Sequence, residues 1–101
     1  MRTRNMSYED YGITDDEVQY ILDFCRKANE EEKDLIKNAL SEIQPYIAPY
    51  IYYSLVDNIS YDKLSVKHMI YMEKGDFYAY RRKGMAAIKR WMILSNMWKV
   101  N

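Results

Sequence analysis

The residues from Met72 to Trp98 constrain the fold more than any others in the chain. Phe77, Tyr80, Gly84, Ala87, Ile88, Trp91, Leu94 and Trp98 recur at steps of three and four, the spacing that lines side chains along one flank of an α-helix. Tyr78, Arg81, Arg82, Met85 and Lys89 fall on the other flank. Asp76, immediately before Phe77, is placed to accept hydrogen bonds from the free amides of a first helical turn. One helix is therefore expected to offer an apolar flank to a core and a Tyr/Arg/Lys flank to a partner.

The residues before it carry helix signals of their own. Thr14 with Glu17, and Asn29 with Glu32, each have the spacing of a capping box. Val18, Ile21, Leu22, Cys25 and Ala28 then predict a helix over about 15–28. Leu35, Ile36, Ala39, Leu40 and Ile43 predict a second over about 30–44, closed by Pro45. Pro49 suits the first turn of a third helix running to about Val56. Its Tyr50, Tyr52 and Tyr53 read either as core residues with wet hydroxyls or as a platform on which bases stack. Ser60 can cap a short fourth helix carrying Leu64. Glycine (3) and proline (2) are too scarce for a fold built on many tight turns. The expected class is all-α: a small bundle of about five helices with a long last one. Residues 13–101 form a single domain and 1–12 a flexible, polar leader.

Charge is segregated along the chain. Residues 1–60 hold six Lys/Arg against twelve Asp/Glu, and residues 61–101 hold nine against three, so a formal charge of zero conceals an acidic first part and a basic second one. The basic part suits an anionic partner; docking of the two parts on each other is the plainer alternative.

A short helix, a turn and a longer basic helix make the pattern of a helix-turn-helix. Tyr61-Asp62-Lys63-Leu64, the Gly75-Asp76-Phe77-Tyr78 step and Tyr80-Arg81-Arg82-Lys83 resemble phage late-gene transcriptional regulators of the ArpU/RinA type, which are akin to region 4 of bacterial sigma factors. The resemblance covers roughly residues 60–90, and the segment between Leu64 and Phe77 is longer than that family's turn. It implies a C-terminal helix-turn-helix over about 60–98, double-stranded DNA as partner, and a phage or prophage transcriptional regulator. Phe77 would lock the recognition helix to the preceding one. Tyr78, Arg81 and Arg82 would face the major groove, where an arginine can read guanine. Lys83, Lys89 and Arg90 would meet phosphates, with Lys63, Lys67 and Lys74 adding backbone contacts.

Other chemistries find little support. Cys25 is the only cysteine and lies on an apolar stripe; His68 is the only histidine, so a metal site would have to rest on carboxylates alone. No phosphate-binding glycine loop or nucleophile elbow is present. No enzyme activity, cofactor or metal is expected. Met1–Ser7 has no apolar run, and a cytoplasmic protein without a membrane partner is expected. Met92, Ile93, Met97 and Val100 exceed what one stripe needs. Either the last helix is sandwiched between others or its end meets a second copy, and a homodimer would suit a palindromic site. Residues 15–56 would supply bracing, dimerisation or a contact with RNA polymerase. The rival readings are a helical protein-interaction module and a DNA-packaging adaptor like the small terminase subunits.

Overall fold

Both capping boxes form as their spacing predicts. In the computed structural model, which describes residues 3–99, the Thr14 hydroxyl accepts from the Glu17 amide while the Glu17 carboxylate accepts from the Thr14 amide. This opens α1 (Asp15–Arg26). Asn29 and Glu32 exchange the same pair of bonds at the start of α2 (Glu30–Leu40). Pro49 sits in the first turn of α3 (Ala48–Val56). The Ser60 hydroxyl accepts from the Lys63 amide to start α4 (Tyr61–Lys67). The long helix, α5, spans Lys74–Leu94. The protein is all-helical, and no strand occurs among the described residues.

α2 and α5 differ in extent from expectation. α2 stops at Leu40, and residues 41–47 turn so that Ile43 and Ile47 both enter the core. α5 begins one turn earlier than Asp76 suggests, with Glu73 as its N-cap, and stops at Leu94 rather than Trp98. The stop is a Schellman motif. Asn96 is left-handed (φ 61°), the Met97 amide bonds the Met92 carbonyl at 2.8 Å, and the Asn96 amide bonds the Ile93 carbonyl at 3.1 Å. The chain then folds back on α1, where Trp98 meets Tyr20 edge to face at 5.0 Å.

α5 is the inner helix of the bundle. Phe77, Ala79, Gly84, Met85, Ala86, Ala87, Ile88 and Met92 are all buried, which is more than one flank. Ile21 and Cys25 of α1, Leu35, Ile36, Ala39 and Leu40 of α2, Ile51 and Leu55 of α3, and Leu64 of α4 close around it in one core. Gly84 sets the α2–α5 spacing: a Cβ built there would lie 2.7 Å from Leu40 Cδ2. A radius of gyration of 12.9 Å agrees with one body, since a domain of this length has about 13 Å.

Residues 3–12 pack against the bundle. Thr3–Asn5 and Glu9–Tyr11 form two 3-10 turns along α5. Arg4 pairs with Glu73 and Asp76 at 3.1 and 3.4 Å. Arg82 Nε donates to the Met6 carbonyl at 2.9 Å, and Lys89 Nζ to the Gly12 carbonyl at 3.1 Å. Ala79, which a lone-stripe reading leaves wet, shares a hollow with Thr3 and Arg4 on that side.

Candidate nucleic-acid interface

Because α5 is wrapped, most of its polar side chains are spoken for within the molecule. Tyr78 is half-buried. Its ring meets Phe77 edge to face at 5.3 Å and its hydroxyl accepts from the Tyr61 amide at 3.3 Å. Arg81 is half-buried too, its guanidinium 5.6 Å from the centre of the Tyr78 ring, with Nε buried and without a hydrogen-bond partner. Arg82 is committed to Met6. The three expected to face a groove are thus half-buried, with Arg81 lying over the Tyr78 ring and Arg82 bonded to the Met6 carbonyl.

The phosphate set is corrected in part as well. Lys89 donates to both Glu17 oxygens at 3.2 Å and lies over the Trp98 ring at 5.3 Å. The Glu17 carboxyl is held below the ordinary range, chiefly by the Thr14 amide and further by Lys89. Arg90 pairs with Glu42 at 2.6 Å, and the same carboxylate accepts from Trp91 Nε1. The two bonds, Trp91's first, lower the Glu42 pKa. Lys74 pairs with Asp62 at 3.1 Å. Lys83, like Arg81, meets no carboxylate within ion-pair distance among the described residues, its ammonium lying 6.0 Å from the Tyr80 ring centre. Acidic and basic parts therefore do dock on each other, through Glu17–Lys89 and Glu42–Arg90.

What remains open lies at α4 and the connection 68–73. Lys63 and Lys67, one turn apart, meet no carboxylate within ion-pair distance among the described residues. They border a hollow of about 390 Å³ with Tyr53, Asp57, Ile59, Leu64 and His68. Beside it Val66, Met69 and Tyr71 are 87%, 73% and 77% exposed. Tyr46 fixes this connection, donating to the Met69 carbonyl at 3.1 Å and accepting from the Tyr71 amide at 2.7 Å. Tyr61 fixes its far end by donating to the Met72 carbonyl at 2.6 Å, with its ring 5.3 Å from Phe77. The resemblance drew attention to α5 and noted the connection only as a segment longer than that family's turn.

Burial pushes the Cys25 thiol up to about 12, against the opposing pull of Arg81 and Arg26. No group of three His, Cys, Asp or Glu residues suited to a metal ion occurs among the described residues. No described helix is long and apolar enough to cross a membrane. Comparison with family models, with curated proteins and with solved structures gave no match.

Proposed function

We propose that the chain is a double-stranded-DNA-binding regulator of transcription, of phage or prophage origin, that meets the duplex with α4, the connection 68–73 and the first turn of α5. The observation that carries this reading is the pair Lys63 and Lys67, which meet no carboxylate among the described residues and lie on a short helix that precedes a long one. Ammonium groups left to solvent on one turn suit phosphates. The resemblance around Tyr61–Leu64 and Asp76–Lys83 points to the same class of partner. Lys83 extends the cationic edge; Arg81 and Arg82 serve the fold.

Binding of a random duplex pool at low salt tests the reading, followed by selection of the retained sequences. Replacing Lys63 and Lys67 with alanine should weaken all duplexes alike and reduce the salt slope by about two. Arg90→Ala, which removes a cation already held by Glu42, should leave binding near wild type. A protein that retards no duplex at low salt defeats the reading.

A second copy is the further partner we propose, because Ile93 and Leu94 at the end of α5 are 51% and 84% exposed. Sedimentation at micromolar concentration, with Leu94→Glu as the disrupting variant, tests it.

A further inference from the structure

A rigid aromatic surface stands on the same face. Tyr46 and Tyr71 lie 6.5 Å apart between ring centres and are tilted by only 30°. Tyr50 meets Tyr46 at 6.1 Å and His68 at 5.3 Å, so the rings continue toward Lys67 and Lys63. The Tyr46 hydroxyl is bonded as donor and as acceptor to the connection's backbone. Its ring is therefore held in place before any ligand arrives, and little freedom is left to lose on binding. Tyr71 is 77% exposed at the rim of the hollow it shares with Tyr61 and Met72, its hydroxyl on the Met69 sulfur.

We infer that Tyr46 and Tyr71, flanked by His68, Lys67 and Lys63, form a stacking site for unpaired bases of a single strand. A paired base offers a protein only its edge in a groove, whereas an unpaired base offers a π face. Exposed tyrosine rings match that face, and nearby ammonium groups match the phosphates that follow it. A protein partner suits the surface less well: the rings sit among hydroxyls, an imidazole and two ammonium groups that meet no carboxylate among the described residues, and burying such cations without a partner is costly. The inference rests on the duplex reading for its face and is tested apart from it.

The probes are a labelled strand of about twelve thymidines and an abasic strand of equal length and charge, titrated with the full chain at low salt. The thymidine strand should bind about tenfold more tightly than the abasic one. Tyr71→Leu, which keeps apolar area and loses the ring, should bring the two within about twofold, and Tyr71→Trp should keep the preference. Tyr71 is exposed, so neither variant threatens the core. Equal binding of the two strands by wild type overturns the inference, as does a preference that survives Tyr71→Leu. Self-association through the patch, abolished by Tyr71→Leu with neither strand bound, overturns it in favour of a protein contact. A parallel titration with duplex separates the two proposals: duplex binding unchanged by Tyr71→Leu alongside equal strand binding sinks stacking alone. Stacking without any duplex retention sinks the duplex reading alone.

Discussion

Lys89 of the last helix donates to both carboxylate oxygens of Glu17 in the first, at 3.2 Å each, with both side chains largely shielded from water. The pair joins the acidic part of the chain to the basic part, and Glu17 is at the same time half of the capping box that opens α1.

Glu17→Gln should therefore lower stability by about 1–2 kcal/mol near neutral pH, through the lost charge rather than the cap, since the amide oxygen can still accept from Thr14. The folded-state pKa of Glu17 is depressed, so its contribution is complete above the unfolded carboxylate pKa, about 4.3. It fades as pH falls through the folded value. Urea melts of wild type and variant should thus differ at pH 7 and converge in acid. Midpoints equally separated at both extremes would show that the pair contributes nothing through charge.

Gly84→Ala sets two effects against each other. Alanine in a helix interior gains about 0.5–1 kcal/mol over glycine, while overpacking a tight core costs about 1–3 kcal/mol. With the new Cβ 2.7 Å from Leu40 Cδ2 and 3.5 Å from Ile51 Cγ2, the second term should win, for a net loss of about 1 kcal/mol. Shortening the opposing side chain by Leu40→Val should recover part of it, so a double-mutant cycle over these positions should show favourable coupling. Additive losses would mean that the helices move apart instead.

The Arg82–Met6 bond predicts a local effect. Arg82→Met keeps the aliphatic stem and removes the donor, costing about 0.5–1.5 kcal/mol at the leader. Amide exchange at Gly12 and Ile13, which bond back to Glu9 and Tyr8, should quicken. The amides of α2 should keep their protection.

Cys25 should be inert toward thiol reagents in the folded protein. With its pKa at about 12, the thiolate fraction at pH 8 is on the order of one in ten thousand, and burial excludes the reagent besides. Labelling should follow unfolding, becoming immediate in urea. Rapid labelling of the folded protein would mean that the seam between α1 and α5 opens.

Local signals were readable and remote ones were not. Thr14–Glu17, Asn29–Glu32 and Ser60 announce helix starts because each needs only neighbours three residues away. Phe77, Gly84 and Ile88 are buried as their spacing predicts, but Met85, placed on the polar flank, is buried as well, and Leu94 of the apolar flank is exposed. Periodicity detects one covered flank, and α5 has several. The pairings that withdraw Lys89 and Arg90 link residues 72 and 48 positions apart; nothing local in a sequence marks a carboxylate at that remove. Arg81 misleads for another reason: a long aliphatic stem lets a charged residue lie between helices. The displayed Tyr71 was hidden by the absence of regular structure, as its position depends on one hydroxyl, that of Tyr46, contributed from 25 residues earlier.

The place of α5 at the centre has a practical corollary for dissection of the molecule. Severing the chain after Val56 would detach Ile21, Ile36, Leu40 and Ile51 from Phe77, Met85 and Ile88, stripping a long helix of its shelter. The C-terminal piece alone should collapse or precipitate. Shuffling this segment onto another scaffold would require bringing its neighbours along.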